Sequence, residues 1–158
     1  MAYRIRGLSP AVFAPLFALD DAALAIRLAR RVVAQSDGGY PCRVGLTDAA
    51  AGETLILVHH VSHDVATPFR TAHAIFVRQD ASPAEAIDCV PAMLDRRRLS
   101  LRGFDAAGML HAAALADPGA AEDGLRGLFA DPAVAYIHAH NAAHGCFLAA
   151  VTRHGDPA

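Results

Sequence analysis

The sequence contains no lysine and no tryptophan, and only 6% of its residues are aromatic. All 14 basic residues are therefore arginine, and 36 of the 158 residues are alanine. A GC-rich coding bias is the simplest explanation of this usage, so the abundance of arginine carries no functional weight by itself. The apolar fraction of 54% likewise reflects many small side chains rather than a core of large ones.

An excess of positive charge and long apolar runs are also missing. The net charge is −2 and the isoelectric point is near 6.5, whereas nucleic-acid-binding proteins usually carry clustered positive charge. No run approaches the ~18 apolar residues of a membrane span. The start, Met1–Gly7, is not followed by the apolar segment of a signal peptide. We therefore expect no nucleic-acid partner and no membrane partner.

Cysteine is scarce, and its pattern does not indicate a disulfide framework. Cys42, Cys89 and Cys146 are odd in number and widely spaced, with no Cys-x-x-Cys pair. Such a pattern favours free thiols in a reducing compartment. We predict a bacterial protein located in the cytoplasm.

The length of 158 residues suits one domain built around one core. Residues 54–61 are apolar on both faces, which predicts a strand inside a sheet rather than at its edge. Because the strands lack regular helical crossovers, we expect a single α+β domain over 1–158. It should have a largely antiparallel sheet, a few short helices and a C-terminal β-hairpin. The predicted strands are 3–7, 40–46, 54–61, 72–78, 99–104, 109–115, 134–141 and 145–153, and the predicted helices are 10–17, 22–30, a short one opened by the capping box at 82–85, and 118–130.

The segment 136–147 is the richest in potential chemistry. It contains three histidines, the only asparagine of the sequence and one cysteine. On a strand, His138 and His140 point to the same face, where two imidazoles can share a metal ion, hold an anion or pass a proton. A three-residue turn ending at Gly145 would place Cys146 on that face, whereas a two- or four-residue turn would place it on the other. Asn141 fits either a turn or a ligand contact.

A transition-metal site, with zinc as the possible ion, is one interpretation of these histidines. His138 and His140 would need a third ligand from a neighbouring strand. His73 is the candidate, and His59, His60 and His63 are further possible ligands. No His-Glu-x-x-His helix strengthens this interpretation. A histidine pair on a strand is more often a hydrogen-bonded structural pair.

Arginines interrupt several apolar strands. A guanidinium in such a place needs a carboxylate, a cluster of carbonyls or a bound anion. We expect structural ion pairs first, with Asp48, Glu53 and Asp105 as partners, and an anionic ligand second. Cys42 and Cys146 could act as nucleophiles beside a histidine, or could be small buried apolar residues. The arginines concerned are Arg43, Arg70, Arg78 and Arg102, while Arg96–Arg98 is expected to be a solvated face.

Several short motifs together carry a resemblance to a known family. They are Tyr40-Pro-Cys-Arg43, Asp48–Glu53, Thr67–Arg70, Ala74–Arg78, Leu101–Asp105 and Tyr136–Cys146. With them the chain resembles the bacterial domain of unknown function 1203 family over residues 3–153. That family has no assigned activity, so the resemblance implies no function. It does imply that relatives can carry arginine at position 140 and need not carry histidine at position 73, which favours an anion-binding or proton-handling pocket over a metal site.

Three hypotheses follow. The preferred one is a pocket that binds a small molecule, an anion, or catalyses a reaction on it, so that the partner would be a small anionic ligand. The alternatives are a metal site on His138-x-His140, and a structural or interaction module that forms a homodimer. The pocket residues would be Cys42, Arg43, Arg102, His138, His140, Asn141 and Cys146.

Overall fold

Strands dominate the computed structural model, which describes residues 1–155. The helices are short: α1 (Asp21–Ile26), α2 (Ala92–Asp95), α3 (Ala121–Phe129) and the 3-10 helices Pro10–Val12 and Ala14–Ala18. The strands are β1 (Tyr3–Arg6), β2 (Ala29–Val33), β3 (Pro41–Cys42), β4 (Thr47–Asp48), β5 (Thr54–His63), β6 (Thr71–Arg78), β7 (Glu85–Ile87), β8 (Leu99–Phe104), β9 (Leu110–Ala116), β10 (Tyr136–Asn141) and β11 (Phe147–Arg153).

The strands form two sheets. The first has the order β7-β1-β11-β10-β8-β9, and the second has the order β2-β5-β6-β3-β4. All neighbours are antiparallel except β3 and β6, which pair in parallel. The α+β class, the antiparallel pairing and the C-terminal hairpin of β10 and β11 are confirmed, although there are two sheets rather than one. The interior position of β5, between β2 and β6, is confirmed as well.

The largest apolar cluster lies between the first sheet and helices α2 and α3. Leu101 and Ile137 point into it from β8 and β10, and both are fully buried. Helix α3 contributes Leu125 and Phe129 from one face, as its amphipathic sequence predicts. Gly124 on α3 leaves room for Leu101, because a Cβ there would lie 2.6 Å from its Cδ1 atom. Burial of these side chains is the main source of stability in this half of the molecule.

The second sheet buries its own apolar face under the N-terminal segment. Phe13 and Leu16 from the 3-10 helices and Leu24 from α1 cover Ile56 and Ile75 of β5 and β6. Asp20 caps the start of α1, since its side chain accepts a hydrogen bond from the Ala23 backbone N–H at 2.8 Å. This cluster packs against the apolar face of the second sheet. One end of that sheet remains available to contact the first sheet.

One predicted helix is shorter than expected, and another is replaced by a strand. The helix predicted over 22–30 ends at Ile26, because Leu28 adopts a left-handed conformation with φ of 51° and turns the chain into β2. The capping box at 82–85 opens no helix. Gly7 N–H donates to the Ala84 carbonyl and Ala84 N–H donates to the Val44 carbonyl, so this backbone is tied to neighbouring segments and continues into β7.

The strand predicted over 40–46 is shorter than expected. Only Pro41 and Cys42 are extended, and a turn closed by the Leu46 N–H and the Cys42 carbonyl follows. Leu46 itself has a φ of 50°. This early turn places Arg43 inside the molecule rather than along a strand.

Candidate functional site

The polar face of the first sheet is built by alternation along β8 and β10. Leu101 and Ile137 face the helices, so Arg102 and His138, which are paired across the two strands, face the other way. His140 lies one pleat further along β10 and shares this face. The two histidines are buried, with 6% and 1% exposure respectively.

Histidines from the second sheet complete the arrangement. His63, at the end of β5, lies with its ring centroid 5.0 Å from that of His138. His73 on β6 is likewise 5.0 Å from His140. The rings of His138 and His140 are 6.2 Å apart. We call the five residues His63, His73, Arg102, His138 and His140 the inter-sheet cluster.

Aromatic rings enclose the cluster. Phe104 lies 4.2 Å from His63 and 5.3 Å from His138, measured between ring centroids. Phe147 lies 5.1 Å from His138 on the opposite side. These distances correspond to rings in contact, so the histidines sit in a largely apolar environment.

Hydrogen bonds orient three of the histidines, and that of His73 joins its Nδ1 atom to the Ser62 hydroxyl at 2.8 Å. The Nδ1 atom of His63 lies 2.9 Å from the Phe69 carbonyl and must carry the hydrogen, because a carbonyl only accepts. In the neutral ring Nε2 then accepts from the Tyr136 hydroxyl at 2.7 Å. By the same argument, Nδ1 of His140 donates to the Gly145 carbonyl at 3.0 Å. The Nε2 atom of His140 is thereby left as an acceptor.

His138 lacks such a partner. Its Nδ1 atom is buried and has no hydrogen-bond partner within residues 1–155. Burial, reinforced by the charges of neighbouring groups, lowers the pKa of His138 to about 3 and that of His140 to about 4. Burial also lowers the pKa of His73, with further contributions from Arg102 and Arg43. His73, His138 and His140, whose pKa values are lowered, are therefore neutral near pH 7.

Arg102 is the charged member of the cluster. It is half-buried and forms neither a salt bridge nor a side-chain hydrogen bond with any described residue, 1–155. The groups that act on the pKa of His138, His140 and His73 include Arg102 but no carboxylate. The predicted ion pair for Arg102 is therefore absent from the described chain, and the cluster has a positive potential.

Arg43 and Cys146 form a pair at the border of the cluster. Arg43 is 1% exposed, and its Nη2 donates to the Cys146 Sγ atom at 3.2 Å. Its Nε donates to the Phe147 carbonyl at 2.8 Å and its Nη1 to the Pro41 carbonyl at 2.5 Å. The expectation of a carboxylate partner for Arg43 is wrong for the described chain, since its partners are two carbonyls and a sulfur.

The hairpin turn has four residues rather than three. Asn141 N–H donates to the Cys146 carbonyl, and Gly145 adopts a left-handed φ of 73°. The pairing shifts by one residue between Ala139 and His140, so His140 pairs with Phe147. This bulge brings the Phe147 ring onto the histidine face. Cys146, placed by the longer turn, reaches Arg43 instead of the cluster.

Cys42 and Asn141, two of the predicted site residues, lie outside the inter-sheet cluster. Cys42 is fully buried in the apolar cluster of the second sheet, where its Sγ accepts from the Arg78 N–H at 3.3 Å. The Oδ1 atom of Asn141 accepts from the backbone of Ala143 and His144 at 3.0 and 3.1 Å, which closes the turn. Asn141 also lines a shallow surface depression of about 480 Å³ that does not include the cluster.

Arg70 and Arg78, the other two arginines singled out from the sequence, pair with carboxylates as expected. Arg78 bonds Glu53 at 2.8 Å, and Arg70 bonds Asp64 at 2.8 Å. Within the run Arg96–Arg98 the solvated-face prediction is wrong for Arg97, whose side chain is 13% exposed and bonds the buried Asp48 at 2.6 Å. Of the four arginines singled out from the sequence, Arg43 and Arg102 therefore have no carboxylate partner within residues 1–155.

No group of three His, Cys, Asp or Glu side chains within residues 1–155 is arranged to hold a metal ion. His63 uses both ring nitrogens in hydrogen bonds, and His140 uses one. Although the rings of His73, His138 and His140 lie close together, a zinc site on these three residues stays a prediction that this geometry does not support.

Tyr136 and Phe147 contact the inter-sheet cluster, although neither was among the site residues predicted from the sequence. Tyr136 lies two residues before His138, so strand alternation alone could have placed it on the same face. Phe147 reaches this face only through the bulge, and no local sequence signal predicts that bulge.

No helix among residues 1–155 is long and apolar enough to cross a membrane.

The fold and the site define an α+β protein of two mostly antiparallel sheets with a buried histidine cluster between them. The sequence profile of the family described as "Protein of unknown function (DUF1203)" matches residues 39–153. The chain therefore belongs to this family. No curated protein and no solved structure matches the chain.

Proposed function

We propose that this protein binds a small anion, of carboxylate or phosphate type, at the inter-sheet cluster. Arg102 would supply the charge, and the neutral His73, His138 and His140 would supply hydrogen bonds. The guanidinium fork matches both carboxylate and phosphate oxygens. A cytoplasmic location is part of this proposal and is supported by the three free cysteines.

The observation that carries the proposal is a pair of unsatisfied groups on adjacent strands. Within residues 1–155 Arg102 has no counter-charge, and the buried Nδ1 atom of His138, which pairs with Arg102 across β8 and β10, has no hydrogen-bond partner. Buried polar groups in native proteins are nearly always hydrogen-bonded, so an exception calls for a missing partner. One anion that accepts from Arg102 and from a His138 N–H would satisfy both.

The packing of the cluster limits the size of the ligand. Ring centroids 4.2 to 5.3 Å apart leave no room for a large molecule between the sheets. Arg102 and His73 are half-buried, whereas His138 and His140 are buried. We expect the anion to enter from the side of Arg102 and His73, with any larger part of the ligand remaining outside.

Calorimetric titration with inorganic phosphate and with acetate tests the proposal. We expect saturable binding of at least one of the two by the wild-type protein. Arg102→Gln should weaken it at least about tenfold, since a charge-assisted hydrogen bond contributes roughly 1.5–3 kcal/mol. Arg30→Gln is the matched control, because Arg30 is exposed on the edge strand β2 and pairs with Leu57, six residues before His63 along β5. Absence of binding, or equal weakening by both variants, would refute the proposal.

A homodimer is the second candidate function, favoured by the edge strand β9. Leu115 is 64% exposed and Leu110 is 38% exposed on this strand. An edge strand with exposed leucines presents unpaired backbone groups to a second copy. Sedimentation equilibrium should then show a dimer that Leu115→Lys converts into a monomer, whereas a monomeric wild type at high concentration would reject this candidate.

A further inference from the structure

The edge strand β9 carries exposed apolar side chains beside Arg102. In the pairing of β8 with β9, Arg102 lies opposite Ala113 and Phe104 lies opposite Leu110. Residues directly opposite each other in an antiparallel pair point to the same face of the sheet. Ala113 and Leu110 therefore share the face of Arg102, and so does Leu115, two residues beyond Ala113. We call Leu110, Ala113 and Leu115 the β9 strip.

The β9 strip lies in solvent, whereas the opposite face of β9 supports the fold. Ala112 and Ala114 pack against the apolar cluster of the first sheet, and Ala116 belongs to that cluster. Histidines of the second sheet contact rings on β8 and β10. On β9, by contrast, Leu115 is 64% exposed and Ala113 is also exposed. The strip is thus an open apolar surface that begins at the half-buried guanidinium.

The charges near the strip match one anionic group. Arg102 has no carboxylate partner among the described residues, 1–155. Near Leu115, by contrast, Arg98 pairs with Asp117 at 3.0 Å. The cluster histidines with lowered pKa values are neutral near pH 7, so they add hydrogen bonds but no charge. A carboxylate carries a single charge, whereas a phosphate group carries about 1.5 to 2 near pH 7. The balance therefore favours a monocarboxylate.

The length of the strip sets the length of the apolar part. Ala113 and Leu115 are two residues apart, which is roughly 7 Å along a strand and corresponds to a chain of about five carbons. Leu115 also borders the shallow depression of about 480 Å³ at this end of the sheet. A longer chain therefore has room beyond the strip.

We propose that the ligand of the inter-sheet cluster is a linear monocarboxylic acid whose hydrocarbon tail lies along the β9 strip. Its carboxylate accepts hydrogen bonds from Arg102 and from a His138 N–H, and its tail covers Ala113 and Leu115. This inference rests on the proposed function, because it needs an anion at Arg102. It adds the class of the ligand, an apolar acid rather than phosphate, and the place of the tail.

Calorimetric titration of the wild-type protein with acetate, butanoate and hexanoate tests the proposal. A methylene that is fully removed from water increases affinity about fourfold, and one that lies on an open surface contributes less. We expect affinity to rise along the series, with hexanoate binding at least about tenfold more tightly than acetate. Hexanol has a similar tail without the carboxylate, and it should bind at least about tenfold more weakly than hexanoate.

The ratio of the hexanoate and acetate affinities is the readout for variants. Leu115→Ser removes the apolar side chain at an exposed position and should reduce this ratio to less than about threefold. Ile26→Ser is the matched control, because Ile26 is 83% exposed at the end of α1, and it should leave the ratio unchanged. Arg102→Gln should weaken binding of both acids at least about tenfold.

A nuclear Overhauser effect measurement on the wild-type protein tests the place of the tail without any substitution. We expect contacts between the hexanoate methylenes and the methyl groups of Leu115 and Ala113. Absence of these contacts in a saturated complex would overturn the proposal. So would a hexanoate advantage that survives Leu115→Ser.

The other outcomes separate this inference from the proposed function. Binding of phosphate or acetate that depends on Arg102, with no gain from acetate to hexanoate, would overturn the inference and leave the anion site standing. If the wild-type protein were then also a dimer that Leu115→Lys dissociates, the strip would be assigned to a second copy of the chain. Absence of binding by phosphate and by all three acids would refute the anion site, and this inference with it.

Discussion

The two faces of the first sheet are built from the same strands but follow different rules. On the helix face, Leu101 and Ile137 join a cluster made up almost entirely of apolar side chains, in which the Tyr3 hydroxyl is a buried polar atom without a hydrogen-bond partner in residues 1–155. On the opposite face, Arg102 and His138 alternate with these same residues along β8 and β10, and both have unsatisfied polar atoms or charge. The first arrangement stabilises the fold without further requirements. The second is stable only under conditions that keep the histidines neutral.

The two faces of the first sheet therefore differ in role, since one stabilises the fold and the other is proposed to bind a ligand. A leucine cluster is tolerant of pH and salt, because its contribution depends on buried area. A cluster of neutral histidines beside an unpaired arginine lowers the free energy of unfolding by an amount that depends on pH. We infer that the histidine face is maintained for ligand binding, and that the helix face supplies the stability that offsets its cost.

The largest expected effect comes from pH. The pKa of His138 is lowered to about 3 and that of His140 to about 4, from a usual 6.5. Below about pH 6.5 the unfolded chain takes up protons that the native chain refuses, so their contribution is intact above that pH and is lost as the pH falls. We expect the free energy of unfolding to drop by about 4 kcal/mol between about pH 7 and about pH 5.

Urea unfolding at a series of pH values measures this drop. His138→Gln should remove about half of the pH dependence, since one of the two titrating groups is gone. His59→Gln is the matched control, because His59 is exposed on β5 and should leave the slope unchanged. A free energy of unfolding that stays constant between these pH values would contradict the assignment of neutral buried histidines.

A cavity on the helix face should have a somewhat smaller effect of a different kind. Leu101→Ala removes a fully buried side chain that packs on Gly124 of α3. We expect a loss of about 3 kcal/mol in the free energy of unfolding, with no change in its pH dependence. Affinity for phosphate or acetate should also stay the same in the folded variant. If Leu101→Ala altered the pH slope, the two faces would not be separable.

The smallest expected effect concerns the turn between β10 and β11. Asn141→Ala removes the acceptor for the backbone N–H groups of Ala143 and His144. We expect a loss of about 1 kcal/mol or less, as for other side-chain-to-backbone turn bonds, and unchanged anion affinity by calorimetry. A tenfold or greater loss of affinity would place Asn141 in the binding site and enlarge the cluster.

Alternation along strands made much of the site predictable. The shared face of His138 and His140 and the strand bounds of β8 followed from the sequence. The partners of the arginines did not, because Arg43 bonds groups 103 and 104 residues away, Cys146 and Phe147. The strand β2 was also missed, since the left-handed Leu28 that ends α1 has no local signature. Long-range pairing decided these outcomes, and local propensity cannot encode it.

The most direct test of the central claim is the protonation state of the histidine rings, measured by long-range proton–nitrogen correlation NMR. We expect the ring nitrogens of His138 and His140 to report neutral imidazoles at about pH 5.5, and those of His138 to shift on addition of phosphate or acetate. The ring nitrogens of His59, which is exposed on β5, should not respond to the anion. Protonation of His138 near pH 6.5, or no response of its ring to either anion, would contradict the account.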